Sequence, residues 1–279
     1  MKDSTIGRDV NQNTTYIAQN IEQLFVIHPP KSKLANDRIE RNREPQEVEA
    51  AFAKELIKYG KNLASRYGKL KILNMSRPIE LSALYTRVNV LERITARSKT
   101  TLELLEEQAK RQGHFGSVIK ARAGIEVINE KNIKTNKFHN IIVLGKPGAG
   151  KTTFLRHITL QALQGEKGEL QRSVLPILIE LRDLSSSTKS LLDFITEQFD
   201  ICGIANRRKH IEGLLKAGKC LVLLDGLDEV KTGKVEEIVK EVKNLVNKYH
   251  NNQFILSCRI AAYNYVFEQF MGSCSNSVV

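Results

Sequence analysis

The clearest chemical pattern in the chain is Gly145-x-x-x-x-Gly150-Lys151-Thr152. Glycines at this spacing let the backbone wrap a phosphate with its N–H groups facing inward, and a following helix N-terminus adds partial positive charge. Lys151 would reach the β- and γ-phosphates of a nucleotide, and Thr152 would offer its hydroxyl to Mg²⁺. The candidate nucleotide-binding residues are Gly145, Lys146, Pro147, Gly148, Ala149, Gly150, Lys151, Thr152 and Thr153.

The flanks of this loop have the pattern that such a site requires. Residues 141–144 form an apolar run of strand length, and residues 154–163 have a helical pattern with Leu155, Ile158 and Ala162 on one side. The alternative is a chance match in a glycine-rich turn. A strand that enters the turn and a helix that leaves it favour phosphate binding.

A second group of polar residues follows the apolar run 220–224. Asp225 stands at the end of that predicted strand and is placed to hold Mg²⁺, through water because Mg²⁺ keeps several of its waters. Asp228 and Glu229 follow, and one of them could orient or deprotonate an attacking water. Alternatively, these acidic residues only cap the next element. The phosphate loop upstream makes the catalytic interpretation the stronger one.

Arg259 follows a third apolar run, residues 253–257. It could contact a γ-phosphate from the tip of a neighbouring strand, or it could be an ordinary surface arginine. Strands that alternate with helices predict a parallel α/β sheet, in which ligands bind at the carboxyl ends of the strands. We therefore expect the phosphate loop, Asp225 and Arg259 to converge on one edge of the sheet.

The predicted fold is a three-layer α/β/α core with a parallel sheet, preceded by a mostly helical N-terminal region. In the latter, residues 44–68 carry an apolar stripe at helical spacing, with Pro45 suited to the first turn and Gly68 to the end. Residues 5–21 are polar, and we expect an edge strand, a small β-repeat or a flexible tail there. The predicted boundaries are 1–43 for a tail and linker, 44–114 for the N-terminal region, 115–271 for the core and 272–279 for a tail.

Composition narrows the possible functions. The formal net charge of the 279 residues is +12, which could indicate a nucleic-acid or acidic-membrane partner, but we favour a solvated basic surface on a protein that handles polyanionic nucleotides. Trp is absent, aromatic residues make up 6%, and the basic residues are spread along the chain, so we expect at most non-specific nucleic-acid binding. The four cysteines show no paired C-x-x-C spacing. There is no apolar signal core at the N-terminus and no apolar run of membrane-span length, which favours a soluble cytoplasmic protein.

Four segments together resemble the NACHT family, which belongs to the STAND class of signal-transducing P-loop NTPases. They read Gly-Lys-Pro-Gly-Ala-Gly-Lys-Thr-Thr, Pro-Ile-Leu-Ile-Glu-Leu-Arg-Asp-Leu, Leu-Leu-Asp-Gly-Leu-Asp-Glu-Val and Phe-Ile-Leu-Ser-Cys-Arg. In the third, a small residue, Gly226, follows the Mg²⁺-binding acid and the further acids come later. The resemblance covers about residues 115–265 and is strongest to bacterial, especially cyanobacterial, members associated with phage defence.

The resemblance implies an NTPase that binds ATP or GTP with Mg²⁺ and hydrolyses it slowly. Nucleotide state would control self-association through the NTPase core, and an effector or sensor module of unknown type would act with it. Two alternatives stay open: a conventional ATPase that acts on DNA or RNA, and an interaction module that binds nucleotide without hydrolysing it.

The chain departs from the family pattern after Arg259. Family members continue into helical and winged-helix domains that trap the diphosphate, whereas this sequence ends at Val279. We therefore expect a truncated product or one part of a split system, with weak affinity and fast nucleotide exchange. Apolar residues near the end would favour association. These are Tyr263, Tyr265, Val266, Phe267 and Phe270.

Overall fold

The computed structural model describes residues 15–21, 23–24, 45–70, 79–81, 89–91, 121–131, 138, 140–200, 207–259 and 277–278. In chain order, the labelled helices are α1 (Pro45–Tyr67), α2 (Gly124–Asn129), α3 (Lys151–Leu163), α4 (Leu181–Ser185), α5 (Leu191–Asp200), α6 (Arg207–Lys216) and α7 (Val235–Lys248). The strands are β1 (Lys69–Leu70), β2 (Ile79–Glu80), β3 (Asn89–Leu91), β4 (Ala121–Ala123), β5 (Ile141–Gly145), β6 (Leu175–Glu180), β7 (Cys220–Asp225), β8 (Gln253–Arg259) and β9 (Ser277–Val278).

A parallel sheet with the strand order β6-β7-β8-β5-β9 forms the centre of the described core. Its four longer strands are apolar runs that are buried almost throughout, as strands covered by helices on both faces are. The predicted α/β P-loop NTPase core is confirmed. The strand β8 lies between β5, which leads into the phosphate loop, and β7, which ends at Asp225.

The segment 277–278 differs from the expected polar tail. Ser277 and Val278 form β9, which pairs in parallel with the outer edge of β5. An outer strand otherwise leaves a row of backbone N–H and C=O groups unpaired, and even a short added strand satisfies some of them.

Helix α3 follows the phosphate loop and contacts β5, β6 and β7. Its buried face includes Leu155, Ile158 and Ala162, as the sequence predicts. At the start of helix α5, the Ser190 hydroxyl accepts a hydrogen bond from the Asp193 backbone N–H at 3.2 Å. Helices α6 and α7 both contact α5.

Helix α1 confirms the prediction of a helix over residues 44–68. Its stripe from Phe52 to Leu63 is buried, and the Gly68 N–H donates to the Ala64 carbonyl at 2.8 Å where the helix ends. The helix packs on α3. Tyr59 donates a hydrogen bond to the Pro176 carbonyl of the edge strand β6 at 3.3 Å, so α1 also satisfies part of that edge.

The expectation of a strand or flexible tail is wrong for residues 15–21, which are helical. Ile17, Ile21 and Leu24 are at most 3% exposed and belong to the same apolar cluster as the core strands. They are spaced four and three residues apart, as residues on one face of a helix are. The Asn and Gln residues around them make the segment look polar and hide this pattern. Burial of that face against the core stabilises the helix.

Several predictions fall on residues outside those that the structure describes. They are the linker before residue 44 and the apolar residues between Tyr263 and Phe270. The four domain boundaries likewise stay predictions. No helix in the described ranges is both long and apolar enough to cross a bilayer.

Candidate functional site

The carboxyl ends of the central strands bring the candidate residues to one edge of the sheet. Gly145 at the end of β5 lies opposite Arg259 at the end of β8. Because Leu224 of β7 lies opposite Leu256 of β8, the next residues, Asp225 and Ser257, are neighbours. The strand tips therefore converge as the sequence predicts.

The phosphate loop connects β5 directly to α3. Gly148 and Gly150 have φ values of 76° and 85°, in the left-handed region that glycine adopts without strain. Gly150 caps α3, and no side chain makes a capping hydrogen bond there. The first backbone N–H groups of a helix have no partner within the helix, so this end presents donors to an anion. The loop therefore fits a phosphate group.

Lys151 lies folded against its own loop. Its Nζ donates to the carbonyls of Gly145 and Lys146, at 3.0 and 3.2 Å. A Cβ added at Gly145 would lie 3.0 Å from the Ala149 Cβ and 3.4 Å from the Lys151 side chain, so a larger residue would require these neighbours to shift by a few tenths of an ångström. An incoming phosphate would exchange two neutral carbonyls for charged oxygens, which make the stronger hydrogen bonds with an ammonium group.

Asp225 is 8% exposed and is held by a residue that sequence reasoning missed. The Ser257 hydroxyl donates to Asp225 Oδ1 at 2.5 Å and accepts from the Gly226 N–H at 2.8 Å. Asp225 and Thr152 supply a carboxylate and a hydroxyl, the oxygen ligands that Mg²⁺ prefers, so the donor set fits this metal. In the sequence, the signal for Ser257 was a serine inside the otherwise apolar run of β8.

Asp228 lies in a single 3₁₀ turn, Leu227–Glu229, directly after β7. Its Oδ1 accepts from the Arg259 backbone N–H at 2.8 Å, and its Oδ2 lies 2.7 Å from Arg259 Nε. The Asp228 side chain is 8% exposed and that of Arg259 is 47% exposed. Both carboxylate oxygens of Asp228 are thus engaged by one residue.

Glu229 has different surroundings. Its Oε2 lies 3.6 Å from Arg182 Nη1, and both side chains are about half exposed. Arg182 also lies 3.6 Å from Glu180 at the tip of β6, and Arg156 of α3 lies 3.6 Å from the other oxygen of Glu180. These two arginines and Glu180 are not among the site residues predicted from the sequence. In the sequence, the run Glu-Leu-Arg-Asp at the end of an apolar strand was the signal for Glu180 and Arg182.

Cys258 lies between the tips of β5 and β7. Burial, chiefly, raises the pKa of its thiol to about 11, and the negative charge of Asp228 adds to the effect. The thiol therefore stays protonated near neutral pH and supplies no thiolate nucleophile.

The residues that form this site also match a model of a known protein family. Residues 139–274 match the family model of the NACHT domain. The chain carries a NACHT domain. The phosphate loop, the acidic turn after β7 and Arg259 all lie within the matched residues, and the NACHT domain is a P-loop NTPase core.

Similarity to curated proteins and to solved structures says little more about this chain. No curated protein is significantly similar in sequence. A solved structure described as "Structure of C. elegans PCH-2" is similar with a TM-score of 0.30 and 16% sequence identity, over 49% of this chain and 34% of that one. The chain therefore spans about a third of that structure's length.

Proposed function

We propose that this NACHT domain binds ATP or GTP with Mg²⁺, hydrolyses it slowly, and uses the bound nucleotide to control self-association of the chain. The observation that carries the proposal is the arrangement at one sheet edge. The N-terminus of α3, which has no side-chain cap, a lysine folded against the loop, and Asp225 at the tip of β7 all lie there. These are the parts that bind and polarise a triphosphate in P-loop NTPases.

Each phosphate-binding group has a separate task in this proposal. The N–H groups of residues 148–152 surround the β-phosphate, and Lys151 leaves its two carbonyl partners to contact the β- and γ-phosphates. Thr152 and Asp225 would hold Mg²⁺, directly or through water, and the bound metal would supply positive charge against the phosphate oxygens.

Glu229, and not Asp228, is the residue we assign to the attacking water. Both oxygens of Asp228 are occupied by Arg259, whereas Glu229 is 46% exposed and has a looser partner 3.6 Å away. Glu229 accepts a proton from water as the water oxygen attacks the γ-phosphorus. The bond from that phosphorus to the β–γ bridging oxygen breaks, and diphosphate and inorganic phosphate result.

The biological setting is also part of the proposal. The family resemblance supports a cytoplasmic signalling NTPase that acts with an effector or sensor module, in bacterial defence.

Sedimentation velocity with a non-hydrolysable triphosphate or with diphosphate tests whether the bound nucleotide controls self-association. The proposal expects the sedimentation coefficient to depend on which nucleotide is bound, and identical profiles would contradict it.

The catalytic assignment is tested by steady-state turnover of ATP and GTP with Mg²⁺. Glu229→Gln should retain nucleotide binding and lose about 100-fold or more in turnover, because it removes the acceptor of the water proton. Glu236→Gln, an exposed carboxylate on α7, is the matched control and should leave turnover unchanged. Wild-type turnover in Glu229→Gln would show that another group activates the water.

A further inference from the structure

A row of charged side chains crosses the strand tips on the β6 side of the sheet edge. Arg156 of α3 lies 3.6 Å, from Nη2 to Oε1, from Glu180 at the tip of β6. Arg182 Nη2 lies 3.6 Å from the other oxygen of Glu180, and Arg182 Nη1 lies 3.6 Å from Glu229 Oε2. The charges along the row therefore alternate in sign, and Glu180 and Arg182 are each shared between two partners.

The row begins at the N-terminal region. Tyr67 is the last residue of α1 and is buried, and the guanidinium carbon of Arg156 lies 5.3 Å from the centre of its ring. Burial, chiefly, raises the pKa of the Tyr67 hydroxyl, so near neutral pH Arg156 meets an uncharged ring in a cation–π contact. Because an arginine held in this way has already lost rotamer freedom, the contact keeps Arg156 beside Glu180.

Arg182 is the member of the row that reaches Glu229, and it has several partners. Its side chain is 59% exposed, and its Nε also lies 3.7 Å from Asp183 Oδ1. Ion pairs as exposed as these each contribute little, so the loss of one partner shifts the guanidinium toward the others. A Glu229 oxygen that Arg182 engages is not free to accept a proton from water. The hold of Arg182 on Glu229 therefore depends on how much of Glu180 is left to Arg182.

We propose that Tyr67 and Arg156 are positioning residues through which the end of α1 regulates nucleotide turnover. They set how much of Glu180 is left to Arg182, and thereby how firmly Arg182 keeps Glu229 from the attacking water. The inference rests on the proposed role of Glu229 and goes further by naming the part of the N-terminal region that controls it.

The alternation of charge gives each substitution in the row a sign. Arg182→Gln releases Glu229, so kcat rises. Glu180→Gln leaves Arg182 with one partner fewer, so Arg182 holds Glu229 more firmly and kcat falls. Arg156→Gln leaves both oxygens of Glu180 to Arg182, so Glu229 is released and kcat rises. Damage to the fold would instead lower the activity of all three variants.

The experiment measures kcat and KM for ATP and GTP with Mg²⁺ on the full 279-residue chain and on these three variants. Each kcat is divided by the concentration of nucleotide sites found by titration, so that unfolded protein does not contribute. We expect kcat to change by about two- to fivefold with the alternating sign, and KM to stay within about twofold of the wild type, because each pair is partly exposed. Lys240→Gln, at an exposed position on α7, is the control for the loss of one positive charge and should change neither constant.

A double variant tests whether the row is connected. Once Arg182 is replaced, the row no longer links Glu180 to Glu229, so adding Arg156→Gln to Arg182→Gln should not change kcat further. A further change as large as that of Arg156→Gln alone would overturn the inference. Changes of the same sign in all three single variants, or a wild-type kcat in Arg156→Gln, would do so as well.

The part given to α1 is tested at the ring of Tyr67. Tyr67→Phe keeps the ring and should retain the wild-type kcat, whereas Tyr67→Leu removes it and should raise kcat as Arg156→Gln does. Arg66→Gln is the matched control, because Arg66 lies over the same ring at 5.3 Å but is not a member of the row. Equal kcat in Tyr67→Leu and Tyr67→Phe would overturn the regulation by α1.

The proposed function fails in a different way. Absence of turnover in the wild type, or wild-type turnover in Glu229→Gln, would contradict the role of Glu229 itself. In a chain that hydrolyses nucleotide through Glu229, the outcomes above decide the inference alone.

Discussion

Three carboxylates in the turn 225–229 have three different partners. Asp225 is bound by Ser257, Asp228 by Arg259, and Glu229 lies beside Arg182. The first two partners come from β8, which lies next to β7, and the third follows β6 on the other side of β7. The position of each acid on the strand tip therefore decides its surroundings.

Ser257 gives a direct test at the residue scale. The Ser257→Ala variant leaves Asp225 Oδ1 and the Gly226 N–H without their buried partner, so we expect a loss of about 1–3 kcal/mol in the free energy of unfolding. The Mg²⁺-dependent part of nucleotide affinity should fall as well. Urea denaturation and nucleotide titration with and without Mg²⁺ measure the two effects.

The matched control for that prediction is Ser186→Ala. Ser186 is exposed and its hydroxyl bonds only a neighbouring helix carbonyl, that of Arg182, at 3.2 Å. A change within about 0.5 kcal/mol is expected there. Equal stability of Ser257→Ala and Ser186→Ala would show that Ser257 does not support Asp225.

At the scale of elements, the strands and helices of the core could be predicted because each carries one clear pattern. The run 220–224 is apolar throughout, as a strand buried on both faces requires. In α7 the apolar residues recur with the period of a helix. The partners of the strand-tip charges could not be predicted, since they depend on strand order. Nothing in the sequence says that β8 lies between β5 and β7 and brings Ser257 to Asp225.

The turn between β5 and α3 depends on the backbone of Gly150, whose φ is 85°. Gly150→Ala should reduce the free energy of unfolding by about 1–2 kcal/mol, because a Cβ disfavours the left-handed conformation although nothing lies within 4 Å of it. The strained loop should also bind nucleotide more weakly. Thermal unfolding and nucleotide titration check both effects.

Gly213 provides the control for the conformational argument. It also has nothing within 4 Å of an added Cβ, but it lies inside α6 without a positive φ. Gly213→Ala should therefore stabilise the chain by about 0.5–1 kcal/mol. Similar effects of the two substitutions would contradict the role given to the Gly150 backbone.

At the scale of the whole molecule, the N-terminal residues are packed onto the NTPase core. Asn20 is buried, and its side-chain amide donates to the Ala162 carbonyl at 3.0 Å, at the C-terminal end of α3. A Cβ added at Gly60 of α1 would lie 2.7 Å from Ile17 and 3.2 Å from Leu163, so three segments meet closely there. The helix behind the phosphate loop is thus held at its far end by residues of the N-terminal region.

Asn20 tests whether this packing stabilises the core. Asn20→Ala removes the buried side-chain donor to the Ala162 carbonyl at the end of α3, and we expect a loss of about 1–3 kcal/mol in the free energy of unfolding. Asn244→Ala, at an exposed position on α7, should change it by less than about 0.5 kcal/mol. Chemical denaturation followed by circular dichroism makes the comparison, and equal midpoints would show that the N-terminal segment does not support the core.

The most direct test of the central claim is the affinity of the chain for Mg²⁺-bound ATP and GTP, measured by calorimetry for the wild type and Lys151→Ala. Lys151 is folded over the loop with two neutral partners, and a triphosphate would give it charged ones. We expect saturable binding of at least one triphosphate by the wild type and a loss of about tenfold or more in Lys151→Ala, with no change in Lys240→Ala, an exposed lysine on α7. Equal affinity in the wild type and Lys151→Ala would contradict the assignment of the nucleotide site.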